Sequence, residues 1–232
     1  AGISPATSAS EAFTQLMTGG TGGLGLVTVS WLAALVGRGT ALALVSRGGA
    51  LAADAAYRLR ASGVAGVTVH RCDVAQATEA ASLISGIQRS LPRVRGVWHA
   101  AGVLADGLLH GQDVHKLARV CGAKAGGAWH LHRSHATTPL TTCTYFSSIA
   151  GLVGSAAQAN YASANAYLDG FATCRRAQGC VGVSVCWGPW AAVGMAAGDA
   201  INAHMGAMGI GRIDAWQGLA ALRALLQAGT AV

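Results

Sequence analysis

Charge is scarce in this sequence. Only 11% of its 232 residues are acidic or basic, and lysine occurs just twice, at Lys116 and Lys124. With 52% of residues apolar, much of the chain must be buried on both sides of its elements, which suits a parallel sheet sandwiched between helices. Basic residues outnumber acidic ones 16 to 9, yet no run of them interleaves with aromatics, so a nucleic-acid surface is not expected. The net charge of +7 better matches phosphorylated cofactors or an acidic protein partner. Ala12 to Gly37 carries no charge at all, but glycines at 19, 20, 22, 23 and 25 prevent one membrane-spanning helix. No basic-then-apolar start marks a signal peptide. The six cysteines (Cys72, Cys121, Cys143, Cys174, Cys180 and Cys186) form no C-x-x-C pair, so a reduced, cytoplasmic setting is expected rather than a disulfide framework. His130, His132 and His135 cannot converge on a metal, because helix positions two apart point to nearly opposite sides.

The length suits one domain with a short appendage. Residues 1–12 read as linker, and the start at Ala1 leads us to expect excision from a longer polypeptide. Beyond them, short apolar runs alternate with helical patterns. Strands are predicted at 13–18, 41–46, 67–71, 94–99, 142–148 and 182–187. Helices are predicted at 24–36, 51–62, 78–91, 114–135 and 160–178. Such alternation predicts an α/β fold with a doubly wound parallel sheet and right-handed crossovers.

Between the first strand and its helix lies Gly20-Thr21-Gly22-Gly23-Leu24-Gly25, a G-x-G-x-x-G match. Glycines in that pattern permit a tight turn and let backbone approach a pyrophosphate at a helix N-terminus. The second strand ends in Ser46-Arg47, with no acid until Asp54. An NAD site would place a carboxylate there for the ribose 2′-hydroxyl. Arg47 can pair with a 2′-phosphate instead and Ser46 can hydrogen-bond it, so NADPH is the expected cofactor. Asp73, followed by Val74, could accept from the adenine amino group or cap a helix. Ala100, Ala101 and Gly102 follow the fourth strand and are small enough for backbone to lie against the nicotinamide half.

Tyr161 stands thirteen residues after Ser148 and four before Asn165. A phenol has an ordinary pKa near 10, so a tyrosine donates a proton at neutral pH only if neighbours stabilise its anion. Ser148 at a strand end could supply part of that setting, and a cation would supply more. A lysine one turn after the tyrosine would be ideal, but Asn165 occupies the place. Lys124, on the long helix after the fourth strand, could point at Tyr161 or could be a surface lysine. A serine hydrolase built on Ser148 is excluded by the absence of a G-x-S-x-G elbow.

The motifs Thr18-Gly-Gly-Thr-Gly-Gly-Leu-Gly, Ser46-Arg-Gly, His99-Ala-Ala-Gly-Val, Lys124 ahead of Ala-Trp-His-Leu-His, Phe146-Ser-Ser, Gln158-Ala-Asn-Tyr-Ala-Ser-Ala-Asn-Ala-Tyr-Leu-Asp and Trp187-Gly-Pro-Trp occur in this order. Together they resemble the catalytic half of a ketoreductase domain from a modular polyketide synthase, within the short-chain dehydrogenase/reductase superfamily. In that family lysine and asparagine exchange the places they hold in ordinary short-chain dehydrogenases, as Lys124 and Asn165 do here. The resemblance implies a Rossmann-type doubly wound sheet over 13–232, an NADPH-binding catalytic subdomain with a substrate lid at 190–212 and a closing helix at 213–228. It implies reduction of a β-ketoacyl thioester on an acyl carrier protein, in a polyketide or related type I fatty acid synthase. Tyr161 would donate the proton, Ser148 bind the same oxygen, Lys124 favour tyrosinate and contact the ribose, and Asn165 hold a water or orient Lys124. Pro189 would join the cofactor contacts. Stereocontrol would involve Asp106 and Asn160. Leu104-Ala-Asp106 keeps the second aspartate of the family's Leu-Asp-Asp signature, and Val153 replaces the tryptophan of the alternative class, so a D-hydroxyl product is expected. The implied partners are the carrier protein, a preceding structural subdomain and other synthase domains. A free-standing short-chain dehydrogenase would not need the exchanged lysine, and an inactive scaffold would not need the intact tyrosine, serine, lysine and glycine loop.

Overall fold

A computed structural model describes residues 12–36, 39–191, 206 and 209–229. Residues 1–11 of the expected linker and most of the expected lid fall outside these residues. In chain order the elements are β1 (Phe13–Thr18), α1 (Gly23–Val36), β2 (Thr40–Ser46), α2 (Ala53–Ala61), β3 (Gly66–Arg71), α3 (Ala77–Ser90) and β4 (Val94–His99). Then follow α4 (Val114–Cys121), α5 (Gly127–Ser134), β5 (Thr142–Ser148), α6 (Ala150–Val153), α7 (Ala159–Ala177), β6 (Val183–Trp187) and α8 (Ala215–Gly229). The six strands form one sheet in the order β3-β2-β1-β4-β5-β6, and every pairing is parallel. This is the doubly wound, Rossmann-type α/β architecture read from the sequence.

Why the strands lack the usual apolar–polar alternation follows from the sheet's position. Successive side chains point to opposite faces, and both faces are covered. Leu16, Ala43, Val97 and Tyr145 pack on one side with Ile84 and Ile87 of α3, Leu131 of α5 and Leu168 of α7. Their sequence neighbours Met17, Leu42, Leu44, Trp98 and Phe146 pack on the other side with Val29 and Leu32 of α1, Leu59 of α2 and Leu222 of α8. Two polar groups inside the sheet are paired: the Trp98 indole N–H donates to Gln15 Oε1 at 2.6 Å, and Thr14 Oγ1 donates to the Pro92 carbonyl at 2.6 Å.

The helix expected over 114–135 runs without a gap from Val114 to Ser134, but it changes pitch on the way. Residues Gly122–Gly126 form a π-turn between α4 and α5, with Lys124 at its centre. Gly122, Gly126 and Gly127 favour the regular helix only weakly, and a wide turn re-aims the side chains after it. A Cβ on Gly127 would lie 2.8 Å from the His99 ring, so only glycine lets α5 sit this close to β4. The short α6 and a 3₁₀ turn at Leu109–Gly111 had no counterpart among the sequence expectations. After β6, Ile213 N–H donates to the Pro189 carbonyl (2.8 Å) and Ala191 N–H to the Ile213 carbonyl (3.0 Å), fastening the chain ahead of α8 beside the β6 end. No helix among the described residues is long and apolar enough to cross a membrane.

Leu168 has no exposed surface and sits where α7 meets the sheet. Leu168→Ala should therefore lower the unfolding free energy by about 2–5 kcal/mol, as measured by urea titration with an unchanged denaturant slope.

Candidate active site

Strand order reverses between β1 and β4, and a crevice opens there beyond the carboxyl ends of the strands. It is a cleft of about 730 Å³. Its lining includes residues 21–25, Ser46, Arg47, Asp73, Val74 and residues 100–102, so four loops at the strand ends bring these expected cofactor residues together, while Gly20, Lys124, Tyr161 and Pro189 lie outside the lining.

The glycine loop is shaped by two positions in particular. Gly19 has φ +69°, and a Cβ there would lie 2.7 Å from the Ala100 carbonyl oxygen. A Cβ on Gly25 would run into the Gly19 carbonyl, so α1 starts in direct backbone contact with the turn. No acidic residue occupies the first turn of α1, which leaves its N-terminal amides suited to an anion. Gly20 plays another part. It is buried, its N–H donates to the Val45 carbonyl, and a Cβ would meet the Met17 carbonyl, so it packs the turn onto the sheet rather than facing the cleft.

Arg47 is exposed on the cleft wall, and Ser46 Oγ beside it accepts from Gly49 N–H at 3.1 Å. The next acid, Asp54, is engaged by Arg58 on the exposed face of α2 at 2.8 Å. Asp73 does not cap α3. Its Oδ1 accepts from Ala75 N–H (3.1 Å), while its own N–H donates to Glu79 Oε2 (2.8 Å), a local turn that holds the carboxylate at the cleft edge.

Outside the lining of this cleft, Lys124 is 3% exposed. Its Nζ donates to the Phe146 carbonyl at 2.8 Å and lies 5.3 Å from the centroid of the Tyr161 ring. The π-turn therefore directs Lys124 inward, against the surface-lysine alternative. Burial pushes its ammonium down to about 8, opposed by the Asp169 carboxylate. Tyr161 near the start of α7 has its phenol raised, chiefly by burial, with Asn165 and Ser148 acting as hydrogen-bond partners in the opposite sense. The Asp106 carboxylate acts in the same sense as burial, and the Lys124 ammonium sits over the ring face. Ser148 closes β5, and its Oγ accepts from Ala150 N–H at 3.2 Å.

Asn165 is fully buried. Its Nδ2 donates to the carbonyl of Tyr161 itself (2.8 Å), and its Oδ1 is a buried acceptor with no partner. Asn160 spends both ends of its amide locally, donating to the Ala105 carbonyl and accepting from Tyr161 N–H, each at 2.8 Å. Asp106 accepts from Gln158 Nε2 at 3.0 Å. Asp106 is thus no helix cap; Asp113 is, taking Lys116 N–H at 2.7 Å. The two residues assigned to stereocontrol stitch the 104–106 loop to the start of α7. Pro189 is buried after β6, with its carbonyl on Ile213 N–H. The three histidines near α5 take separate partners: His130 the Val74 carbonyl, His132 the Arg175 guanidinium and His135 the Leu131 carbonyl.

Two groups escaped the sequence reading. His99 is wholly buried, with Nδ1 2.7 Å from Thr18 Oγ1 and Nε2 2.9 Å from the Lys124 carbonyl. Asp169, two turns after Tyr161 on α7, accepts from Ser184 Oγ at 2.5 Å and keeps a buried Oδ2 without a partner. Its only signal was a lone acid within an apolar helix face, and that of His99 a polar ring ending an apolar strand.

The KR domain family profile matches residues 14–192. Among curated relatives, polyketide synthase GfsB of Streptomyces halstedii is 44% identical over 190 residues, 81% of this chain and 3% of that protein. Naringenin synthase of Pestalotiopsis fici is 41% identical over 192 residues, 80% of this chain and 7% of its own length. A solved A-type ketoreductase from a modular polyketide synthase superposes with a TM-score of 0.86 at 34% identity, covering 98% of this chain and 49% of that one. The chain thus spans a small fraction of the curated relatives it matches and about half of the solved ketoreductase.

Proposed function

Because the chain belongs to the KR domain family, we propose that it reduces a β-ketoacyl thioester, carried on an acyl carrier protein within a polyketide synthase, to the β-hydroxyacyl thioester. The observation that carries this reading is the placement of Lys124: buried, bonded to the Phe146 carbonyl, and lying over Tyr161 from a helix other than the tyrosine's own.

The cofactor of this reading is NADPH. The cradle fits a dinucleotide: the positive-φ Gly19 and the Gly19–Gly25 backbone contact leave room for a pyrophosphate at the start of α1. Arg47 and Ser46 would hold a 2′-phosphate at the end of β2, with Asp73 and Val74 towards the adenine and residues 100–102 and Pro189 towards the nicotinamide. When bound, NADPH supplies a hydride to the ketone carbon. Tyr161, kept protonated at neutral pH by its burial, gives its proton to the ketone oxygen as negative charge develops there. Ser148 donates a hydrogen bond to that oxygen, and Lys124 stabilises the phenolate left behind. Asn165, through its bond to the Tyr161 carbonyl, fixes the helical turn that presents the phenol.

Leu104, Asp106 and Val153 favour the D-hydroxyl product. The Asp106–Gln158 and Asn160–Ala105 bonds would set the side from which the ketone enters. The carrier protein, a preceding structural subdomain and neighbouring synthase domains are the partners this reading requires, in the cytoplasm.

In the full-length protein, NADPH oxidation with a β-ketoacyl thioester surrogate should appear in the wild type, and chiral analysis should give the D-alcohol. Tyr161→Phe should lower kcat by about 100-fold or more, and wild-type turnover in that variant would overturn the mechanism. Arg47→Ala should raise KM for NADPH by roughly 10- to 100-fold, the loss of a charge-assisted hydrogen bond, while leaving KM for NADH nearly unchanged. In the unliganded protein burial brings the Lys124 ammonium down to about 8, charged below and neutral above, so kcat/KM should fall as pH rises through about 8 in a pH–rate profile.

A further inference from the structure

The geometry points to His99 as a positioning residue for the reductase chemistry: it holds the carbonyl of Lys124, and so aims the Lys124 ammonium, from the end of β4. This inference rests on the ketoreductase reading above and extends it to a residue that touches neither substrate nor cofactor in that reading.

The proton on the ring can be assigned from its partners. The Lys124 carbonyl can only accept, so His99 Nε2 must carry the hydrogen of that 2.9 Å bond. A neutral ring then leaves Nδ1 as an acceptor, and Thr18 Oγ1 donates to it at 2.7 Å. Burial drives the imidazole pKa down to about 4, in keeping with a ring that stays neutral. The hydroxyl, the ring and the carbonyl form one directional chain.

What this chain restrains is the weakest stretch of the helix carrying the lysine. The π-turn contains Gly122 and Gly126 and is followed by Gly127, three residues with little conformational preference. A lysine side chain there could swing to solvent and regain its hydration. The turn cannot slide outward while His99 holds its central carbonyl, and the Nζ is then left with the Phe146 carbonyl. Two further contacts fix the ring: its edge-on packing against Tyr145, with centroids 6.3 Å apart, and the approach of Gly127, where any side chain would strike it. Thr18 closes β1 immediately before Gly19, so the same chain ties the start of the glycine loop to the lysine.

Three substitutions separate this role from simple core packing. His99→Gln retains a donor where Nε2 stands, His99→Asn retains only an acceptor near Nδ1, and His99→Leu retains neither. The expected result is a kcat about ten-fold or more below wild type for His99→Leu and His99→Asn, with the dissociation constant for NADPH, read by its fluorescence, within about three-fold. His99→Gln should restore kcat to within about three-fold of wild type. Deuterium uptake over residues 122–127 of the full-length protein should rise in the Leu and Asn variants and stay near wild type in Gln, a readout that needs no turnover. Equal kcat in His99→Leu and wild type would overturn the inference, as would equal losses in Gln and Asn. Should His99→Leu fail to fold, the Gln-against-Asn contrast decides alone. A wild-type protein that oxidises no NADPH would overturn the reductase reading instead, and the uptake pattern would then decide the pin by itself.

Discussion

Taking the Lys124 ammonium out of water costs several kcal/mol unless the surroundings replace what hydration supplied. The centre of this molecule is arranged around that cost. The Phe146 carbonyl accepts one hydrogen bond, the Tyr161 ring presents its negative face, and the Asp169 carboxylate opposes the fall in pKa. Each comes from a different place: the carbonyl from β5, the ring and the carboxylate from positions eight apart on α7. Only the packed sheet brings β5, α7 and the π-turn together, so the charge cannot be settled until the fold is complete.

The candidate site has two parts, the crevice lining on one side of the switch point and the buried group beside β5 on the other. On the β2 side the residues are exposed and small, with Arg47 offering a fixed charge and the loop offering amides. On the β5 side they are buried and their protonation states are set by desolvation. The first end suits recognition of anionic groups in water. The second suits proton transfer where water is scarce and each dipole counts for more.

Much of this was legible in the sequence. The strands announced themselves as apolar runs because both faces of the sheet are covered, and the glycine spacing between β1 and α1 gave away the loop. Lys124 was harder: spacing alone left it between the site and the surface, and the family resemblance decided its placement. The π-turn could not be read, because Gly122 to Gly127 still satisfies a helical period and the extra residue in the turn leaves no compositional mark. His99 was hidden for a different reason. A histidine ending an apolar strand looks the same whether its ring fills space or holds a backbone carbonyl two elements away. Asn165 was read for holding a water or orienting the lysine; its amide N–H bond to the Tyr161 carbonyl lies within one helix, which no pattern between motifs reports, and its Oδ1 has no partner.

The paired amides of Ala191 and Ile213 beside Pro189 have a bearing on how the chain could be re-engineered. The two ends of everything lying between them are already brought together by backbone hydrogen bonds and by the buried Trp190. Joining two fixed posts through a flexible linker costs only about 0.6 kcal/mol more for each doubling of the linker's length. A transplanted stretch of another length or composition could thus be seated between the posts while the sheet, the glycine loop and the lysine pocket keep their places. That would make the region an exchangeable cassette on a stiff frame.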